Sequence, residues 1–310
     1  MYSYTAIQWL FFFYFYSFFG WCFESTYVSI KKRKPINRGF LRGPFLPLYG
    51  SGGIMMLVVS MPFQDNIWLV YCAGVVGATI LEYFTGVAME TLFKVRYWDY
   101  SKNKFNFQGH ICLGSSLVWG LLTIFMTECL HKPVEHMAFA IPEAWFNGIT
   151  LLLTAIVWSD FALSFKAAMD LRDVLVRMEK AKQDMLRIHK RLDVMIALTN
   201  EDISNRREEW SENIEMRIED VKEGIEGRLE RLRKLTLSRT GEHLESIRGE
   251  LGELRVKYLK SLEDRERLVN LRDLFQRNLI RSNPSMSSRR FKEALEELKE
   301  RVNDRKKDQE

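Results

Sequence analysis

Gly20-Trp21-Cys22-Phe23-Glu24, followed by Gly39-Phe40-Leu41 and Tyr49-Gly50, has a second version in Gly86-x-x-x-Glu90, Gly109-His110-Ile111 and Trp119-Gly120. Each set reads as an apolar helix closing on a glycine and a carboxylate, then a basic loop, then a second apolar segment. Gly39 to Gly50 spans 11 residues, as does Gly109 to Gly120. The loops differ, with 15 residues from Glu24 to Gly39 and 19 from Glu90 to Gly109. The pattern predicts a tandem repeat of membrane hairpins, near residues 5–62 and 66–130. Duplicated membrane units often build a substrate site where they meet.

Around this repeat the chain is two different materials. Residues 1–165 are strongly apolar and aromatic; residues 166–310 are highly charged and hold only Trp210, Tyr258, Phe275 and Phe291 as aromatic side chains. A mean hydropathy of -0.17 and a net charge of +5 are averages over both. The charge does not point to nucleic acid, because the bases of the first half sit in two loops and those of the second alternate with acids. Cys22, Cys72, Cys112 and Cys129 are too far apart for a metal knuckle or a redox pair, and read as packing thiols. No metal and no cofactor are expected. The N-terminal region lacks a basic n-region and a small-residue cleavage site, so its first apolar segment is expected to remain as an anchor.

A helix needs about 20 apolar residues to cross a bilayer. Five segments meet or approach this: 5–30, 44–62, 66–93, 110–130 and 139–165. The second opens on Gly43, Pro44 and Pro47, the fourth on Gly109, Gly114 and Ser115. Proline costs little in a first helical turn; Pro47 lies deeper and leaves room for a broken or re-entrant start. Loop 31–43 carries Lys31, Lys32, Arg33, Lys34, Arg38 and Arg42, and loop 94–109 carries Lys94, Arg96, Lys102 and Lys104. The opposite loops, near 62–66 and 130–138, hold Asp65, and Lys132 with Glu135. The positive-inside rule makes the basic loops cytoplasmic, the N-terminus external and, after five crossings, the charged half cytoplasmic.

Polar groups inside the apolar half are the candidate functional residues. A carboxylate at mid-bilayer costs on the order of 3 kcal/mol, so it faces protein or water, pairs, or takes a proton. Glu82, Gly86 and Glu90 share one helical stripe. Glu24 and Glu90 hold equivalent places in the repeat, where pairing with Arg38, Arg42, Lys94 or Arg96 is the plain alternative. Glu82 lies deeper, without a base within a helical turn, and suggests a polar cavity or proton path. Asp160 marks the cytoplasmic exit of the fifth helix. The loops add Asn37, Arg38 and Arg42, then Trp98, Asp99, Tyr100, Asn106 and His110. Guanidinium forks and free backbone N–H groups suit anions such as phosphates or lipid headgroups. Trp98 and Tyr100 equally suit interfacial anchoring, and His110 suits an uncharged helix cap better than a metal ligand.

Gly20-Trp21-x-x-Glu24, Asn37-Arg38-Gly39-Phe40-Leu41-x-Gly43-Pro44, Pro47-x-Tyr49-Gly50, Trp98-Asp99-Tyr100-Ser101, Asn106 and Gly109-x-Ile111-Cys112-Leu113 together resemble the ABC-transporter type IV (CmpB-like) family of bacterial membrane proteins. The resemblance covers about residues 5–130. It implies a permease-like protein of the bacterial inner membrane, without naming a substrate. His110 departs from the arginine expected there, and Gly114-Ser115-Ser116 is looser than the family pattern. No G-x-x-x-x-G-K-[ST] loop is present, so a permease of this kind would need a separate ATP-binding subunit.

In the charged half, Leu171, Val174, Met178, Ala181, Met185, Ile188, Leu192 and Met195 step by 3 and 4, a heptad seam continuing from the fifth span. Asn200 to Asn205 loosens the pattern, and Ile214, Ile218, Val221, Ile225, Leu229 and Leu232 resume it. Ser238 to Gly241 reads as a turn, Leu244 to Leu279 as a second seam, and Ser282-Asn283-Pro284-Ser285 as a break. Phe291, Leu295, Leu298 and Val302 then share the face of a last helix. The seams fit either a fold-back hairpin or pairing between chains, and the expected turn favours folding back.

The expected architecture is all-α: a polytopic membrane domain, 1–165, with five transmembrane helices, and a cytoplasmic coiled-coil domain, 166–310. The expected function is a permease-like transport component whose cytoplasmic coiled coil serves oligomerisation or partner docking. Its expected partners are the bilayer, a separate ATP-binding subunit, and further copies of the chain or a coiled-coil partner. The alternatives are a membrane scaffold or sensor, and an enzyme acting on a lipid or anionic headgroup through Arg38, Asp99 and His110. No nucleophile–base pair is legible that would favour the enzyme.

Overall fold

A computed structural model describes residues 4–199, 217–237, 242–270 and 274–307. The fold is all-α, with one two-rung hairpin, β1 (Asn106–Phe107) and β2 (Ile111–Cys112), as its only ladder among the described residues. Among the described residues four helices are long and apolar enough to cross a membrane: α1 (Ala6–Lys32), α3 (Ile67–Phe93), a helix from Leu113 to Ala140, and the apolar part of α6 (Glu143–Thr199). Exposed Phe23, Ile30, Trp68, Phe84, Trp145 and Leu152 cover their outer faces. An apolar exterior of this kind is stable against lipid, not against water. The protein is therefore a membrane protein.

Local chemistry sets the helix ends. Thr5 and Gln8 form a capping box for α1, and Asn66 accepts from Trp68 and Leu69 N–H at the start of α3. Both helices stop on a left-handed base, Arg33 and Lys94, from which the loops depart. Pro47 is the first residue of α2 (Pro47–Ser60), so the helix simply begins there, tied to α1 by Leu46 N–H donating to Ser17 O at 2.9 Å. With its 3-10 extension to Phe63, α2 is shorter than the other four apolar helices.

The loop expected near 130–138 is helical. α4 (Leu113–Phe125) runs through a π turn, Met126–Leu130, into α5 (His131–Ala140). Pro133 lacks the N–H that an α ladder needs, and the wider π turn just before it absorbs the defect without ending the helix. Glycines set the closest approaches. A Cβ on Gly20 would lie 2.3 Å from the Tyr49 side chain, bringing α1 onto α2, and one on Gly86 would lie 2.9 Å from His110 Nδ1.

The chain divides into two compact units, Met1–Arg172 with Asp273–Arg290, and Asp173–Arg272 with Phe291–Glu310. In the second, Met185, Ile188, Leu192 and Met195 of α6 pack with Ile218, Val221, Ile225 and Leu232 of α7 (Ile218–Leu237) and with Ile247, Leu254 and Tyr258 of α8 (Glu242–Val269). The helical seams thus pack on one another within one chain. Phe291, Leu295, Leu298 and Val302 are all buried, the last three on α10 (Lys292–Lys307). Arg265, almost wholly buried, donates to Met178 O at 2.9 Å and pairs with Glu297. Glu293 pairs with Lys182 and accepts from Ile218 N–H at 2.7 Å. Burial opposes the charge on Glu293, yet the lysine and the amide hold it below the usual carboxylate range. The expected break at 200–205 and turn at 238–241 lie outside the described residues.

Candidate functional site

The basic loops, with α9 (Leu274–Ser282) and the strap that follows it, build one polar face at an end of the first unit. Two guanidinium groups organise it. Arg38 lies 3.4 Å from Glu24, which also accepts from Tyr49 O–H at 2.9 Å. Arg96, with its side chain 2% exposed, lies 2.7 Å from Glu90 and 3.5 Å from Asp99. His110 Nε2 reaches the same Glu90 oxygen at 3.1 Å. The pairing alternative for Glu24 and Glu90 is the observed arrangement.

His110 sits in the hairpin, not at a helix cap. Burial, and then Arg96, push its pKa below the ordinary histidine value against the pull of Glu90. The ring is therefore a neutral donor to Glu90, not a second cation. Burial opposes ionisation of Asp99, but hydrogen bonds from Ser101, with Arg96 and Arg289 nearby, outweigh it and hold the carboxyl below its usual range. Gly109, at φ +75°, lies beneath this group, where a Cβ would meet Ser101 Oγ at 2.4 Å and Arg96 Nη1 at 2.7 Å.

Glu82 forms a separate centre. It is buried on α3 and accepts from Tyr100 O–H at 2.9 Å, Trp119 Nε1–H at 3.1 Å and Ser115 O–H at 3.3 Å. All three donors are neutral. Tyr100 therefore turns inward rather than anchoring at a lipid edge, and Trp98 donates to His110 O at 2.9 Å.

The remaining sequence candidates support loop shape. Asn37 accepts from Trp21 Nε1–H and donates to Arg42 O, each at 2.6 Å. Asn106 bridges Asn103 O at 2.8 Å and Gly109 N–H at 3.2 Å. Asp160 accepts from the N–H groups of Arg42 and Gly43 at 3.1 and 2.8 Å, and Arg42 stacks on Phe275 at 3.5 Å. The structure thus gathers Glu24, Asn37, Arg38, Arg42, Glu90, Trp98, Asp99, Asn106 and His110 around the loops, and Glu82 with Tyr100 beside them. Among the described residues no group of three or more His, Cys, Asp or Glu could hold a metal ion.

The family described as "Putative ABC-transporter type IV" matches residues 11–165. The chain belongs to this family. No curated relative and no solved structure matches it. Within the family region, residues not singled out by sequence reasoning form a further polar group. His131, fully buried, bonds Tyr16 O–H through Nδ1 at 2.7 Å and Tyr4 O–H through Nε2 at 2.9 Å, and Tyr4 donates to Glu135 at 2.5 Å. The carboxylate fixes the directions: Tyr4 gives its proton to Glu135, so Nε2 donates and Nδ1 accepts. A lone histidine among aromatics gave no sequence signal. Asn283, Ser285, Ser287 and Ser288, which lie on the loop face, fall outside the family region altogether.

Proposed function

We propose that this protein is the membrane-embedded, permease-like component of a bacterial inner-membrane transporter. The observation that carries this reading is Glu82, a carboxylate inside an apolar helix held by neutral donors alone. Such a group is costly in a bilayer, and a cage that solvates it without a cation leaves it able to serve a passing cation or proton. In this reading α2 is a short fifth crossing, the N-terminus is external, and the basic loops and charged helices are cytoplasmic. Glu24 and Glu90, in equivalent places of the two sets, each pair with an arginine, Arg38 and Arg96, which is consistent with a duplicated hairpin although the two arginines stand at different loop positions. Because the α6 seam packs against helices of its own chain, the cytoplasmic helices are assigned to docking a separate ATP-binding subunit rather than to a zipper between copies.

The test is purification of the full chain from native membranes in mild detergent, with mass spectrometry of what accompanies it. A stoichiometric nucleotide-binding subunit, whose ATPase rate in the complex drops with Glu82→Gln, supports the proposal. A clean homo-oligomer without such a subunit overturns it.

A further inference from the structure

The family match ends at residue 165, yet the residues carrying the loop motifs are covered by a segment from far beyond it. Ser282–Arg289 crosses the loop face as a strap. Arg96 N–H donates to Ser287 O at 2.7 Å and Ser287 N–H returns to Arg96 O at 2.9 Å, one antiparallel rung on the Val95–Tyr97 backbone. Side chains add selectivity. Asn283 accepts from Arg38 Nη1 and donates to Gly39 O, each at 2.9 Å. Ser285 accepts from Arg38 Nη2 at 3.0 Å and donates to Tyr97 O at 3.2 Å. Ser288 donates to Lys94 O at 2.7 Å, and Arg289 to Gln108 O at 3.0 Å. Met286, 1% exposed, is the apolar anchor. A backbone rung with a few side-chain pockets is the signature of strand addition.

We propose that the loop face is a docking site for an extended peptide, and that Ser282–Arg289 occupies it in cis as a displaceable competitor. The strap is held by a handful of hydrogen bonds, those involving Arg38 and Arg289 charge-assisted and the rest neutral, each limited in net worth because water competes for both partners, and by one apolar side chain. Ordering its backbone opposes that gain. Ser285 and Arg289 remain exposed at its surface. The balance is shallow, so a second strand of the same chemistry exchanges with it. That ligand is an extended protein segment with an amide and hydroxyls around a methionine-sized anchor. Its arrival releases the strap and leaves Arg38 bonded to the incoming strand.

The experiment uses the full chain in lipid nanodiscs and a fluorescent synthetic peptide of residues 280–290. Asn283→Ala with Ser287→Pro loosens the strap by removing the side-chain fork and the rung donor. This variant should bind the peptide at least tenfold more tightly than the unmodified chain, and adding Arg38→Ala should remove the gain. Equal binding, or none by either protein, overturns the proposal. Hydrogen exchange on the unmodified chain tests it without substitution. The amides of Arg96 and Ser287 should exchange together and well ahead of those in mid-α3. Exchange at the α3 rate means a permanent brace and overturns it. Protection that grows with protein concentration means a strap shared between copies and overturns the cis assignment.

Discussion

Replacing Glu82 separates the hydrogen-bonding cage from the charge it holds. In Glu82→Gln the amide oxygen can still accept from Trp119 Nε1–H and from Ser115. The new N–H faces Tyr100, whose hydroxyl can reverse and accept. The loss is the difference between a charge-assisted and a neutral bond, about 1 kcal/mol. Glu82→Ala is different. Ser115 keeps an acceptor in Cys112 O at 2.9 Å, and its hydroxyl remains within hydrogen-bond reach of Tyr100, but the indole N–H can only donate and loses its acceptor. One orphaned donor at about 1–3 kcal/mol, on top of the about 1 kcal/mol lost with the charge, gives about 2–4 kcal/mol. Unfolding of the purified protein by SDS titration, followed by tryptophan fluorescence, reads both values. Equal losses for Gln and Ala would refute the cage, because the charge and not the acceptor geometry would then hold α3 to its neighbours. No loss for Ala would show the donors satisfied elsewhere.

Gly86→Ala places a Cβ 2.9 Å from His110 Nδ1 and should cost about 1–3 kcal/mol, seen as a lower thermal midpoint. Gly148→Ala, with open space around it, should be neutral or stabilising by up to about 1 kcal/mol. Acid should loosen the loop face. Asp99 is held below its usual range, so its contribution is present above the unfolded carboxylate value and is lost as pH falls through the lowered one. His110 is also depressed, so the unfolded state takes its proton first and stability declines as pH drops below the ordinary histidine value. Amide exchange at Ser101 and Gly109 should therefore accelerate on acidification, and the histidine part should vanish in His110→Asn. In the second unit, Arg265→Ala removes a buried cation from Glu297 and Met178 O and should cost about 3–5 kcal/mol. Loss of helical protection in α8 and α10 by hydrogen exchange on the full chain checks it.

The helical class, the apolar spans and the family were legible because hydropathy and motif spacing are local properties. Phe291, Leu295, Leu298 and Val302 were readable as one face for the same reason: a 3.6-residue period survives in the string. Glu24 and Glu90 could be placed beside bases, since each helix ends in its own basic loop. Apolar length and charge also misled at one place. Lys132 and Glu135 read as a loop, whereas the π turn before Pro133 lets the helix continue to Ala140. The partners of Glu82 were not readable, because Tyr100 and Trp119 reach it from 18 and 37 residues away.

By itself, then, the sequence determined which segments are apolar, which are charged, and which loops carry arginine, since each of these is set by neighbours in the chain. Only the tertiary structure decided that Ser282–Arg289 belongs to the loop face, and that His131 sits between two tyrosines. Those contacts span 127 residues for Tyr4 with His131 and 245 for Arg38 with Asn283. They are made by tyrosine, histidine, arginine, serine, asparagine and backbone groups whose spacing in the chain carries no periodicity. A hydrogen bond between neutral groups leaves no trace in composition; its partners are known only once the helices have packed.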